Sequence, residues 1–493
     1  MNEQFARRLE RGDFQTPPPL AREVCRRLRD AGLAPVSIVE PTCGVGNFLL
    51  AAIETFPSVR QAAASDVDAG YVEQARAAVA AAPRPVAGTW RVEDCFTADW
   101  AERIAALPQP WLLLGNPPWV TTARLSVVGG ANGPLRRNVD HVRGIAALTG
   151  GGNFDISEAL VRMALRLVGR EGGAGGGALA LLCKATVARK ALAAAWREEW
   201  PGLADADGAF HHLDARRWFG ASVAAGLLIV RTDRTGALPR SCREYASVDA
   251  AAPLRTFGWR DGELLADVDS VPARATVAPA PTADGRDPHA PAARWRSGIK
   301  HDAAAVFELR RDGYGWRNGL GEQVELEAEL LSPLLKATDV HHGRAPSRWL
   351  LVPQRTAGED PHARLAAAPL ARAYLDRHSV RIGARKSRLW RSGKLVFLFG
   401  IGPYAFSDWK IAVSALHLPP RFRVIGPFAG RPVVVDDTTC VRPCADEAEA
   451  RNEAAALESA RVRSALAARL FTDRKRPLTV AMLDRLGDLP PKD

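Results

Sequence analysis

Four apolar residues, Trp111 to Leu114, and a glycine run straight into Asn116-Pro117-Pro118-Trp119. The apolar run reads as a buried strand, and the two prolines cannot continue it. An amide and an aromatic ring are thereby set at the strand's end. The Asn116 carbonyl can accept a hydrogen bond from a substrate amine. Proline carries no N–H, so the Pro117 carbonyl beside it can accept a second. Two acceptors on one exocyclic amine would aim its lone pair at an electrophile, and Trp119 would supply a flat surface for the ring bearing that amine. The non-chemical alternative for the same four residues is a Pro-Pro turn over a core tryptophan.

Three earlier strand ends carry residues of matching use. The strand Ser37 to Glu40 runs into Pro41-Thr42-Cys43-Gly44-Val45-Gly46, and a helix follows. Gly44 and Gly46 let a ligand approach the backbone, and the helix N-terminus adds polarised amides. Leu49 stands where a third glycine would complete a dinucleotide fingerprint, so the turn alone is weak evidence. The next strand ends at Asp66, with Asp68 beyond, about 20 residues after the turn. An acid there can accept from both ribose hydroxyls of an adenosine cofactor. A third strand, Thr89 to Asp94, is followed by Phe96. An acid and a ring so placed could bind an adenine amino group and stack on the base. A solvated loop carboxylate is the bland reading of each aspartate.

These residues need a scaffold, and residues 1–235 supply one by alternating strand and helix signals. Further apolar strands read at Ala178 to Cys183, Phe210 to Leu213 and Ser222 to Arg231, with helical patterns at Tyr71 to Ala81, Ile156 to Val168 and Thr186 to Trp196. Such alternation predicts an α/β, doubly wound, mostly parallel sheet, which binds ligands at the carboxyl ends of its strands. Thr121 to Gly152, rich in glycine and arginine, is long for a loop in a compact domain and reads as a functional segment. Ser270 to Ala293 is Pro/Ala-rich and reads as a linker. The expected division is a catalytic domain over 1–270, a linker over 271–293 and a mixed α+β domain over 294–493. In the last, Lys394 to Phe399 and Arg431 to Val435 read as strands and Glu447 to Leu470 as a helix.

Charge separates the two halves. From Arg294 to Asp493 there are 33 Lys and Arg against 23 Asp and Glu, whereas the residues before carry 33 against 32. Between Arg377 and Arg423 ten basic residues face one acid, Asp408. That is the footprint of a polyanion-binding surface. No apolar run reaches the roughly 18 residues of a membrane span, and the N-terminus lacks a signal-peptide core, so a cytoplasmic protein without membrane contact is expected. The seven cysteines are an odd number without a C-x-x-C pair, which argues against a disulfide framework. Cys440 and Cys444 lack nearby ligands to complete a zinc site, so no metal is expected.

Taken together, GDFQTPPPLA (Gly12 to Ala21), EPTCGVGNFL, Asp66, Asp94 with Phe96, NPPW and Asp155 in NFDIS resemble the S-adenosylmethionine-dependent DNA adenine methyltransferases, within them the Taq-type group. The stretch Leu179 to Cys183 with KATVARK, and LDARRWFGASVAAGLLIV, look like the family's later motifs. Trp119 departs from the family's usual tyrosine or phenylalanine, and Glu40 from its usual aspartate. The resemblance implies a Rossmann-like class I methyltransferase domain followed by a DNA-recognition domain. It implies that Thr16, Pro17, Glu40, Pro41, Gly44, Gly46, Asp66, Asp94, Phe96 and Asn116 bind S-adenosylmethionine. It further implies that Asn116, Pro117, Pro118 and Trp119 hold a flipped adenine whose amino group is methylated in duplex DNA. Arg385, Lys386, Arg388, Arg391 and Lys394, with the interleaved Trp390, Phe397, Phe399, Tyr404, Phe406 and Trp409, are expected to contact that DNA. Thr121 to Gly152 becomes a DNA-facing loop that orders on binding. The rival readings are a methyltransferase for guanine amino groups in RNA, one for a release-factor glutamine, and a non-catalytic DNA-binding subunit. No nuclease pattern is visible, so a restriction-modification enzyme partnered by a separately encoded endonuclease is the expectation.

Overall fold

In the computed structural model the described residues are 15–119, 156–171, 176–236, 238–271, 294–313, 315–385, 390 and 397–488. Thr121 to Gly152, Asp155, most of the Pro/Ala-rich stretch, and Lys386, Arg388, Arg391 and Lys394 lie outside them. The chain divides into two compact units, one ending at Val271 and the other continuing from the residues after it.

The first unit is organised around central strands that are buried on both faces, as a parallel sheet covered by helices requires. Its strands are β1 (Ser37–Glu40), β2 (Gln61–Asp66), β3 (Ala87–Val92), β4 (Trp111–Gly115), β5 (Gly177–Lys184), β6 (Ala206–Leu213), β7 (Ala225–Thr235), β8 (Ser241–Tyr245), β9 (Arg255–Arg260) and β10 (Glu263–Leu265). Among the described residues they form one sheet, in the order β10-β9-β8-β6-β7-β5-β4-β1-β2-β3. Every residue of β1 and β4 is buried. Neighbours β3, β2, β1, β4 and β5 run parallel, and β7 lies antiparallel between β5 and β6. The sheet order reverses on the two sides of β1 and β4, which is where such a sheet opens a crevice.

Helices α1 (Pro18–Asp30), α2 (Asn47–Thr55) and α3 (Ala69–Ala80) flank this part of the sheet, followed by α4 (Trp100–Ala105), α5 (Ile156–Glu171), α6 (Ala185–Arg197) and α7 (Ala215–Phe219). The buried positions of α1, Leu20, Ala21, Val24, Cys25 and Leu28, recur at helical spacing and join Phe48, Leu49 and Ile53 of α2 in one core cluster. The sequence placed the third strand at Thr89 to Asp94. It ends two residues earlier, because Asp94 turns back to accept the Phe96 amide at 2.9 Å. Strands β8 to β10 extend the sheet beyond the region where alternation was visible.

The second unit holds two sheets among its described residues. One has six strands, in the order Gln323–Val324, Gly315–Asn318, Glu308–Asp312, Arg348–Leu351, Leu331–Leu335 and Val434–Val435. The other has four, Arg296–Ser297, Thr439–Cys444, Trp409–Ser414 and Arg423–Ile425. The helix expected over Glu447 to Leu470 is two, Glu447–Leu457 and Ala460–Ala467, because Ser459 caps the second by accepting the Val462 amide at 3.4 Å. Of the expected strand Lys394 to Phe399, Phe397 and Leu398 belong to no strand and Phe399 makes a single bridge to Lys300.

Candidate active site

Because β3, β2, β1 and β4 are parallel and adjacent, the residues that follow their last positions are brought to one edge. A cavity of about 270 Å³ opens there. Glu40, Pro41, Thr42, Cys43 and Gly44 line it from the end of β1, Asp66, Val67 and Asp68 from β2, Glu93 to Phe96 from β3, and Asn116 and Pro118 from β4. The structure thus brings together Thr16, Glu40, Pro41, Gly44, Asp66, Asp94, Phe96, Asn116 and Pro118 of the residues the sequence singled out. Pro17, Gly46, Pro117 and Trp119 are not among the lining residues.

The glycine turn is shaped by left-handed backbone at Gly44 (φ 51°) and Gly46 (φ 85°). A Cβ on Gly46 would meet Ala75 Cα of α3 at 3.0 Å, so glycine also sets how closely α2 and α3 approach. A Cβ on Gly44 would stand 2.3 Å from Gln15 Oε1. That oxygen accepts the Val45 amide at 3.1 Å, while Asn47 donates to the Thr16 carbonyl at 2.8 Å. Gln15 and Asn47 therefore strap the segment before α1 to the turn. The sequence reading passed over both, although Gln15 sits inside GDFQTPPPLA. Tyr71, Ile156 and Leu160 are further lining residues, which the sequence placed on helices without giving them a part in the site.

Asp66 is already occupied in part: its carboxylate accepts the Gly44 amide and the Asp68 amide, each at 3.0 Å. It locks the turn at the same time as it borders the cavity. Asp68 caps α3 through the amides of Gly70 and Tyr71. Glu40 differs from both. It is 2 % exposed, and its Oε2 has no hydrogen-bond partner among the described residues. Burial, and then the charge of Asp66, pushes its carboxyl well above the ordinary range. A buried acid facing a cavity is stabilised as a carboxylate by a cation placed there.

A curated relative extends over nearly the whole chain. It is the Type II methyltransferase M.NspV from Nostoc sp., 32 % identical over 481 residues, covering 97 % of this chain and 96 % of the relative. The chain belongs to the Type II methyltransferases. No protein-family model matches it. Among solved structures, the Type IIL restriction-modification enzyme MmeI in complex with DNA aligns with a TM-score of 0.50 at 12 % identity, over 83 % of this chain and 57 % of that longer one. That likeness speaks for the fold, a Rossmann-like class I methyltransferase.

Within this methyltransferase, Trp119 is packed as the core tryptophan that the sequence offered as the alternative to a base-stacking ring. The ring is 8 % exposed and belongs to the core of the first unit. It meets Phe219 of α7 edge-on, with centroids 5.1 Å apart, and its indole N–H points to the Leu182 carbonyl at 3.4 Å. Its carbonyl accepts from Lys184 Nζ at 3.3 Å. The last residues of β5 and α7 thus hold the end of the Asn-Pro-Pro-Trp segment. Phe219 lies inside LDARRWFGASVAAGLLIV, a stretch the sequence singled out without giving that ring a role, because a ring in a short helix carries no signal of what it packs on.

Of the expected DNA contacts Arg385, Lys386, Arg388, Arg391 and Lys394, Arg385 is the one that lies among the described residues. Arg385 donates to the carbonyls of Ile382, His301 and Phe397 at 2.7, 3.2 and 2.9 Å, and its guanidinium lies 3.5 Å from the Trp390 ring centre. Burial lowers its pKa to about 10. Phe397 is a core residue at 6 % exposure, and Tyr404, Phe406 and Trp409 pack against the hydrophobic clusters. Those rings serve the fold of the second unit. The seven cysteines are free and buried, and no metal-binding group of side chains occurs among the described residues. No helix is long and apolar enough to cross a membrane among them.

Proposed function

We propose that this Type II methyltransferase transfers a methyl group from S-adenosylmethionine to the exocyclic amino group of adenine in duplex DNA, as the Taq-type modification enzyme of a restriction-modification system. The observation that carries this reading is the placement of Asn116 on the same cavity as Glu40, Asp66 and Asp94, at the ends of four adjacent strands. The cavity's donors suit the cofactor. Asp66 and Asp68 face it as acceptors for hydroxyls, Asp94 and Phe96 as acceptor and ring for an adenine, and buried Glu40 as counter-charge for a cation. S-adenosylmethionine, when bound, supplies a methyl group on a positively charged sulfur. The protein's share is positioning: Asn116 and the Pro117 carbonyl accept from the amine and orient its lone pair, with Trp119 and Phe219 as the aromatic surface for the base. Base stacking on Trp119 requires the ring to leave its present cover. The second unit is proposed to recognise DNA, with Lys386, Arg388, Arg391 and Lys394 on phosphates and a separately encoded endonuclease as a companion.

Incubation of the full chain with labelled S-adenosylmethionine and duplex DNA, followed by nucleoside analysis, tests the reading. Label in N6-methyladenine is the expected result; label in a cytosine, or only in RNA, overturns it.

Glu40 provides a second test. A raised carboxyl pKa means that the folded protein binds a proton the unfolded chain has released, so the empty protein loses stability as pH rises above the ordinary carboxylate range. A bound cation reverses that loss. The thermal stabilisation by S-adenosylmethionine should therefore grow with pH, and Glu40→Gln should weaken binding by about 2 kcal/mol or more and flatten the pH profile. A stabilisation indifferent to both would remove Glu40 from the cofactor site. On the DNA side, Arg388→Glu with Arg391→Glu should lower duplex affinity and shallow its dependence on log salt by about one unit per lost phosphate contact. Arg385 is left out of that pair, because its bonds to three carbonyls tie it to the fold.

A further inference from the structure

Two stretches of the second unit converge on a group of imidazoles and guanidiniums. The helix Ala337–His342 ends in His341 and His342, and Gly343, left-handed at φ 67°, stops it ahead of Arg344. The segment after Ser414 brings in His417, Arg421 and Arg423. The His341 and His417 rings stack with centroids 4.8 Å apart, and His342 stands edge-on to both at 5.0 and 6.2 Å. Arg423 donates to the His341 carbonyl at 3.3 Å. Arg421 and His342 are exposed, whereas His341 is 8 % exposed and its Nδ1 has no hydrogen-bond partner among the described residues. His342 Nδ1 contacts the Thr338 carbonyl at 2.8 Å, and His417 Nδ1 contacts Ser414 Oγ at 2.7 Å.

The surrounding carboxylates are committed elsewhere. Asp339, on the same helix, accepts from Arg348 at 3.0 Å and from the Lys336 amide. Glu458 accepts the Phe422 amide at 2.8 Å and lies 3.7 Å from Arg463. Three imidazoles are therefore gathered beside two permanent cations. Burial, then the charges of His417, Arg421, His342 and Arg423, holds His341 below the ordinary imidazole value. An anion seated among them would relieve that mutual repulsion and draw protons in with it.

We propose that His341, His342 and His417, with Arg421 and Arg423, form a contact for a DNA backbone phosphodiester that takes up protons as the duplex binds. The inference rests on the reading of the protein as a DNA methyltransferase and deepens it. Proton uptake makes affinity rise as pH falls through the imidazole range, opposite to the effect of pH on Glu40 and the cofactor.

Fluorescence anisotropy of a labelled duplex with the full chain, at constant ionic strength between about pH 8 and about pH 6, tests it. The expected gain in affinity is about tenfold across that span. The double variant His342→Gln/His417→Gln should lose the gain while binding S-adenosylmethionine as before. Arg421→Gln, at an exposed position, should weaken duplex binding at every pH. A flat profile in the wild type, or an equal gain in the double variant, overturns this contact while leaving the DNA reading intact. Absence of duplex binding at every pH overturns both.

Discussion

Asn116→Ala is expected to lower methyl transfer by about 10²–10³-fold, the cost of removing one prepositioned polar group from a reacting centre. The strand before Asn116 is wholly buried, so its carbonyl end is fixed by the sheet and not by the ligand. Asn116 itself is only half-buried, and truncation there should change stability by less than about 1 kcal/mol. Loss of activity can then be assigned to lost contact with the amine. Trp119→Ala is a poorer probe: the ring is part of the core, and deleting such a residue costs about 3–5 kcal/mol whatever its chemical role. Labelled transfer to a cognate duplex, with cofactor affinity measured in parallel, checks the expectation. Transfer that persists within a few-fold in Asn116→Ala would refute the catalytic assignment.

The strand ends were legible because each couples two independent signals, an apolar run and a residue that cannot be explained by the run. Glu40 closes SIVE, Asp66 closes a strand of small residues, and Asn116 follows WLLLG, so period and composition fixed their places before any packing was known. Parallel pairing then brings them to one edge, which topology alone decides. What stayed hidden depended on contacts across the chain. Gln15 reaches Val45, and Asn47 reaches Thr16, through single polar bonds that leave no periodic trace. The aromatic residues near Arg385 looked like an interleaved binding surface, yet Phe397 is core, because the same alternation of ring and charge also describes a half-buried segment. The strands beyond β7 escaped because Ser241–Tyr245 and Arg255–Arg260 carry arginines and a glutamate that read as exposed.

That glutamate, Glu244, carries the largest stability effect expected here. Its side chain is 1 % exposed and accepts from Arg189 of α6 at 2.6 Å, with His212 of β6 at 2.9 Å and Arg255 of β9 on the same carboxylate. Burial pushes its carboxyl up, but the hydrogen bonds from His212 and Arg255 and the charge of Arg189 outweigh this and hold it well below the ordinary range. One carboxylate thus joins a helix to three strands of the outer sheet. Glu244→Ala strips a guanidinium that is itself 1 % exposed of its counter-charge, and breaking a buried pair from one side costs about 3–5 kcal/mol. In a unit of this size the unfolding temperature should fall by on the order of 10 °C. The sign with pH follows from the depressed value: the stability Glu244 lends is complete above the ordinary carboxylate range and is lost as pH falls below it. Glu244→Gln should accordingly be less stable than the wild type near neutrality and lose less on acidification. The double variant Glu244→Leu/Arg189→Met should recover part of the loss, since it removes the most deeply buried pair and fills the space but leaves the more exposed Arg255 without its counter-charge. Calorimetric scans of the four proteins between about pH 4 and about pH 8 separate these cases. A Glu244→Ala protein within about 1 kcal/mol of the wild type would show that water reaches this network and that the outer strands are held by packing alone.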